Sequence, residues 1–175
     1  PTVAATHTAR GELWSVRVLP SDGLGTGPAG TDSLTIGNTA PTVASVALSP
    51  TPATTDDTLS ATASGADADG DSVSFTYAWT VNGVSTGTSG STLDGSYFDK
   101  GDTVTVTATP SDGTDTGTSD TASLIIANTA PELSSVSISP DPASTSDTLS
   151  ASASSSDADG DSVTYTYAWA VNGVS

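Results

Sequence analysis

The strongest constraint in this chain is a run in which bulky apolar side chains fall on every second residue. Val73, Phe75, Tyr77, Trp79 and Val81 are separated only by Ser, Thr and Ala. Side chains alternate faces along a strand, so the run gathers its apolar surface on one face, and no helical period fits it. Upstream lies an acidic loop, Asp67-Ala68-Asp69-Gly70-Asp71, and downstream Asn82-Gly83 supplies the positive-φ pair of a tight hairpin turn. The same text returns from Asp157 to Gly173, with Trp169 in the place of Trp79. The same strand is expected there.

That return is part of a longer repeat. Asn38-Thr39-Ala40-Pro41 recurs as Asn128-Thr129-Ala130-Pro131, a spacing of 90 residues (128 − 38), and Pro20-Ser21-Asp22-Gly23 recurs as Pro110-Ser111-Asp112-Gly113 at the same spacing. A fixed period of this length marks an array of small domains, longer than a solenoid repeat and about right for a sandwich. Residues 41–130 make one complete unit, residues 1–40 match the second part of a unit, and residues 131–175 match the first part. Both flanking parts break in the same loop of the repeat. Neither is expected to bury a core alone. Either the two fold against each other, or each is completed by a neighbouring copy or by further repeats of the same chain, head to tail, and the expectation is a window onto a longer array.

Within the complete unit, Pro41 opens a strand carrying Val43, Val46 and Leu48, which stops at Ser49-Pro50-Thr51-Pro52 because two prolines cannot sit in a central strand. Thr58–Ser64 follows with Leu59, Ala61 and Ala63 inward, then the acidic loop, the Trp79 strand and a short return strand from Val84. The Gly/Ser/Thr-rich stretch 86–91 is expected to be the loosest part. Leu93 and Phe98 precede the turn Asp99-Lys100-Gly101-Asp102. Thr103–Thr109 then alternates with Val104, Val106 and Ala108 inward, and a last strand carries Ala122, Leu124 and Ile126. About seven short strands around a mid-chain Trp predict an all-β fold of tandem antiparallel β-sandwich repeats.

The array resembles bacterial extracellular immunoglobulin-like and cadherin-like repeats, including those of large surface adhesins. The resemblance is carried by Tyr77-Ala78-Trp79-Thr80-Val81-Asn82-Gly83, Lys100-Gly101-Asp102-Thr103-Val104, Pro110-Ser111-Asp112-Gly113 and Asn128-Thr129-Ala130-Pro131. It implies a structural protein at a bacterial surface or in the extracellular space, a spacer, stalk or adhesive rod, with calcium often bound between domains. The alternative is an adhesive module that recognises carbohydrate or protein through its loops. Loops 67–71 and 157–161 are identical, as are turns 20–23 and 110–113, and such sameness favours architecture over recognition.

A formal charge of −17 with only three basic residues, Arg10, Arg17 and Lys100, leaves no surface to meet phosphates and excludes nucleic acid as a partner. It also disfavours anionic membranes, and no apolar run is long enough to span a bilayer. Cysteine is absent, so disulfides and thiolate metal sites are excluded. The single histidine, His7, has no copy at Tyr97, and Glu12 and Glu132 stand apart from any cluster. A nucleophile–base pair is hard to assemble from this set, and no enzyme is expected. Trp79 and Trp169 lie amid inward alternation, which marks them as core rather than sugar-stacking platforms. No Asn-x-Ser/Thr sequon occurs.

The one candidate for ligand chemistry is the acidic loop. Asp67, Asp69 and Asp71, and again Asp157, Asp159 and Asp161, present three carboxylates in five residues around a glycine, a set of hard oxygen ligands suited to Ca²⁺. The spacing departs from an EF-hand, with Ala78 where the closing Glu would stand, so another segment has to complete the shell. Strand count places loop 65–72 beside the linker that precedes the unit and the Asp99–Asp102 turn at the opposite pole. Asp99 and Asp102 are therefore expected to face Asp157, Asp159 and Asp161 across Asn128–Pro131. Likewise Glu12 and Asn38 approach Asp67, Asp69 and Asp71. Converging carboxylates repel unless a cation bridges them, which points to junctional calcium. The bland alternative is a solvated acidic turn kept for solubility.

Overall fold

An alternating run becomes a strand only where a second strand offers it hydrogen bonds, and in this chain that condition is met unevenly. The computed structural model describes residues 1–174. Eleven strands form four antiparallel sheets. In the complete unit, β3 (Thr42–Ser49), β4 (Leu59–Ala66) and β7 (Thr92–Leu93) form a three-stranded sheet, in the order β3-β4-β7. The other sheet runs β6-β5-β8-β9, from β5 (Ser74–Val81), β6 (Val84–Ser85), β8 (Thr103–Ser111) and β9 (Asp120–Ile125). The flanking parts each hold one two-stranded sheet, β1 (Leu13–Val18) with β2 (Gly30–Thr35), and β10 (Glu132–Ser139) with β11 (Ser150–Ser156).

The core lies between the two sheets of the middle unit. Leu59, Ala61 and Leu93 from one sheet meet Trp79, Val104 and Val106 from the other, with Phe98 and Ile126 in the same buried cluster. Trp79 is only 1% exposed, and its indole N–H donates to the Gly90 carbonyl at 2.8 Å, so the ring is buried with its polar atom satisfied. The stretch 86–91 is anchored through Thr86, whose N–H bonds the Trp79 carbonyl, and Ser91, whose carbonyl accepts from Ala61. The turn at Asn82-Gly83 has φ of +51° and +80°, which places both residues in the left-handed region that a two-residue hairpin of this hand requires.

Short 3-10 turns occur at Ala5–His7 and Gly95–Tyr97, and Asp94 caps the second by accepting from the Ser96 N–H. One expectation is corrected: the second copy of the Trp run is not a strand. Ser74–Val81 pairs residue for residue with Val104–Ser111, whereas Thr164–Val171 has no such ladder, although its hairpin turn at Asn172 and Gly173 keeps positive φ and a Val171–Val174 bridge. The turn is local and forms anyway. The strand depends on a partner.

The same dependence appears in burial. Val46, Leu48, Leu59 and Trp79 are buried or partly buried, but Val136, Ile138, Leu149 and Trp169, ninety positions on, are 60%, 53%, 46% and 48% exposed. Replacing Trp79 by Ala should therefore cost about 3–5 kcal/mol in urea unfolding followed by circular dichroism. Trp169→Ala should leave that transition where it is. Gly117 supplies a second check, because a Cβ there would run into the carbonyl oxygen of buried Pro41. Gly117→Ala should destabilise by about 1–3 kcal/mol through a forced backbone shift.

Candidate functional site

The acidic loop is shaped from within. Asp67 Oδ1 accepts the backbone N–H of Asp69 at 2.7 Å and of Asp71 at 3.3 Å, and Gly70 at φ +84° makes the bend that brings them round. The loop 157–161 repeats this, with Asp157 Oδ1 accepting from Asp159 and Asp161, each at 3.0 Å. Two of the three side chains at each loop are thereby left to face the preceding segment.

What they meet is a basic side chain. Arg10 reaches Asp71 with both terminal nitrogens, and one of them also donates to Asn38 Oδ1. Lys100 makes the corresponding pair with Asp161 and donates to Asn128 Oδ1 at 3.1 Å. Both ion pairs span 61 residues, and both Asn contacts span 28. Each linker adds a backbone bond: Thr39 N–H to Asp69 Oδ2 and Thr129 N–H to Asp159 Oδ2, both 2.7 Å. The two junctions are built on one plan, a cation held between an asparagine at the end of its own part of the chain and a carboxylate of the part that follows.

The turn that presents each cation is locked by its own acid. Asp102 accepts from the Asp99 N–H at 2.8 Å and from Asn82 Nδ2 at 2.7 Å. Glu12 accepts from the Ala9 N–H at 3.0 Å and from the Trp14 indole at 2.9 Å. In both turns a glycine, Gly11 at φ +85° or Gly101 at φ +87°, follows the basic residue. Its N–H bonds the carbonyl of Ile36 or Ile126 on the last segment of the unit. The basic residue is thus carried on a fixed turn at the pole, pointing at the linker.

These contacts revise the expected site. Strand count places the loops and turns at the anticipated poles, but Asp99 and Asp102 do not join Asp157, Asp159 and Asp161. Among the described residues only those last three gather, with carboxylate oxygens within 4.8 Å of one another. Glu12 likewise stays within its own turn, while Asn38 does arrive, through Arg10. The residues that sequence reasoning missed are Arg10 and Lys100. Their signal was present: two of only three basic residues in a chain of charge −17 stand at the same position of the repeat.

Further polar groups brace each junction. Asn38 Nδ2 donates to Asp112 and Asp115, both at 2.8 Å, and Thr55 donates its hydroxyl to Asp159. Asp67 Oδ2 and Thr129 Oγ1 are enclosed without a hydrogen-bond partner. Hydrogen bonds to the charged form set the titration. The Thr55 hydroxyl holds Asp159 below the ordinary aspartate range, and Asn38 does the same for Asp112. The hydrogen bond to Asp161 raises Lys100, and that to Asp71 raises Arg10. Comparison with known protein families, curated proteins and solved structures returns no match to this chain.

The pH dependence follows from these directions. A depressed aspartate contributes above its ordinary pKa of about 3.9 and ceases to contribute as pH falls through its lower folded value. A raised lysine contributes fully below about 10.4 and is lost only above that. The Thr129 amide resonance, whose N–H bonds Asp159, should therefore hold its position between about pH 5 and pH 9 and move only on acidification below about pH 4. A midpoint near pH 6 would contradict the assignment.

Proposed function

We infer that the chain is a stretch of a structural rod, tandem immunoglobulin-like sandwich units of 90 residues, set at a bacterial surface or in the extracellular space. The observation that carries this is the recurrence of one junction twice, with the same cation–carboxylate–asparagine contact at the same separations. Repeated, orientation-fixing contacts at both poles are what a stiff array needs. A recognition module needs free apical loops, and here loops 67–71 and 112–115 are engaged by the preceding segment. Ion pairs this exposed add little to folding stability; their role is to select one relative orientation of neighbours.

The chain has no cysteine, so orientation can be read from spin labels on an introduced pair, Thr62→Cys with Ser150→Cys, at dilution. The unaltered junction should give one narrow distance distribution, and Lys100→Gln should broaden it while leaving the melting of the middle unit unchanged. Equal widths in the two proteins would remove the clamp from the proposal.

Calcium is a second source of positive charge at the same place. Asp67 Oδ2 lacks a partner, and the oxygens of Asp157, Asp159 and Asp161 are close enough to share an ion. Asp71 and Asp161 already hold Arg10 and Lys100, so Ca²⁺ would compete with those side-chain cations for the same carboxylates. Titration calorimetry should show stronger Ca²⁺ binding in the Arg10→Gln, Lys100→Gln double variant than in the unaltered chain. Absence of heat in both, with melting unchanged by EDTA, would leave the side-chain cations as the whole device.

A further inference from the structure

Asn82 sits at the tip of the β5–β6 hairpin, where a φ of +51° suits Asn and Gly and few other residues. Its side chain has a further role. The carboxamide bonds the start of β8 through both of its ends. Oδ1 accepts the Thr103 N–H at 3.0 Å, and Nδ2 donates to Asp102 Oδ1 at 2.7 Å. The Asn82 backbone N–H adds a third bond, to the Thr103 carbonyl at 2.9 Å. Three bonds from one residue thus hold Asp102 and Thr103, just beyond Val81–Val104, the last pair of the β5–β8 ladder.

Asp102 passes this hold to the turn that carries Lys100. Its second oxygen, Oδ2, accepts the Asp99 N–H at 2.8 Å, and its own N–H bonds the Asp99 carbonyl at 3.0 Å. Its carbonyl accepts the Ile126 N–H, and the Gly101 N–H bonds the Ile126 carbonyl, both at 2.9 Å. Lys100 lies inside the turn that these bonds close, and from there it reaches Asn128 and Asp161. One oxygen of Asp102 closes the turn and the other fastens it to the hairpin. The Asp99 N–H and then the Asn82 amide hold this carboxyl below the ordinary aspartate range, so it stays an ionised acceptor for both donors. Take away the donor at position 82, and only the Asp99 N–H restrains it. The turn that carries Arg10 is fastened differently, since Glu12 takes its side-chain donor from the Trp14 indole of its own strand, β1.

We propose that Asn82 is a positioning residue of the second junction, acting through Asp102 to aim Lys100 at Asp161. The inference rests on the clamped rod described above and names the residue that sets the direction of its lysine. A lysine ends in a point charge on a flexible four-carbon stem, so the ion pair alone selects no orientation. Orientation comes from a fixed root. Asn82 supplies it by joining the root to the hairpin that continues β5, the strand whose Trp79 lies in the core. The loop 157–161 is thereby referred to the core of the middle unit and not to a turn that moves by itself.

The spin-labelled pair Thr62→Cys with Ser150→Cys tests this in the full chain. Asn82→Gly removes the carboxamide and keeps a residue at ease at positive φ, so the hairpin survives. It should broaden the distance distribution as far as Lys100→Gln does. In the Lys100→Gln background it should broaden nothing more, because both changes act through one side chain, whereas a general loosening of the fold would add to it. Asn82→Asp alone sets a carboxylate against Asp102 and should also broaden the distribution. Adding Asp102→Asn reverses donor and acceptor, keeps partners for the Thr103 and Asp99 amides, and should restore the narrow distribution. Lys100 is the only lysine of the chain, so its side-chain magnetic resonance signal is a second reading. In Asn82→Gly that signal should move to where Asp161→Asn places it. If Lys100→Gln broadens the distribution while Asn82→Gly changes neither width nor signal, the inference is overturned and the clamp stands. If Lys100→Gln broadens nothing, the clamp falls, and the lysine signal in Asn82→Gly still decides: movement upholds the aiming role, and no movement removes it.

Discussion

A strand whose large side chains all face one way has nothing to hold it until a ladder fixes its backbone and a second sheet covers its face. The pairing of Ser74–Val81 with Val104–Ser111 supplies the first and the sheet of β3, β4 and β7 supplies the second. Trp79 then sits at the centre of the core with its indole N–H satisfied. Remove the ladder and the same chemistry behaves differently. In Thr164–Val171 the Trp is half exposed and no strand forms. Tertiary context, more than propensity, decides whether this text is a strand.

Electrostatics organises the poles as pairing organises the core. With a charge of −17, carboxylates that approach one another across a linker need compensation. It comes from Arg10 and Lys100, each carried on a turn that its own acid, Glu12 or Asp102, holds in shape. One acidic residue therefore fixes the turn while a different unit's acid receives the cation. Asparagine joins the two because its carbonyl faces the cation while its amide faces acceptors, as Asn38 does between Arg10 and the pair Asp112 and Asp115.

Much of this was legible in the sequence. Alternation marked the inward set Val104, Val106 and Ala108, Asn82-Gly83 marked its turn, and strand parity alone placed loop 67–71 beside the incoming linker. These are local or two-state properties: a side chain points in or out, and a chain runs up or down. The destination of a long flexible side chain is neither. Asp99 and Asp102 share the triplet's pole, but the short Asp102 side chain bonds the Asp99 N–H and Asn82 beside it instead of crossing. Lys100, between them in the same turn, has the reach to cross. The fate of Thr164–Val171 was illegible for another reason, since it depends on residues that its own neighbourhood does not contain.

The two junctions share a plan but not a cation. Arg10 offers a planar fork that grips Asp71 through two nitrogens and keeps its charge at any pH the protein survives. Lys100 offers a single ammonium on a flexible stem, and acylation would erase its charge. The Arg10 side also has its asparagine braced by two carboxylates, where Asn128 Nδ2 donates only to the Thr129 carbonyl. In the rod proposed above the hinges are therefore unequal. Chemical modification would loosen the lysine junction first, and that order follows from Lys100 standing where the other turn has Arg10.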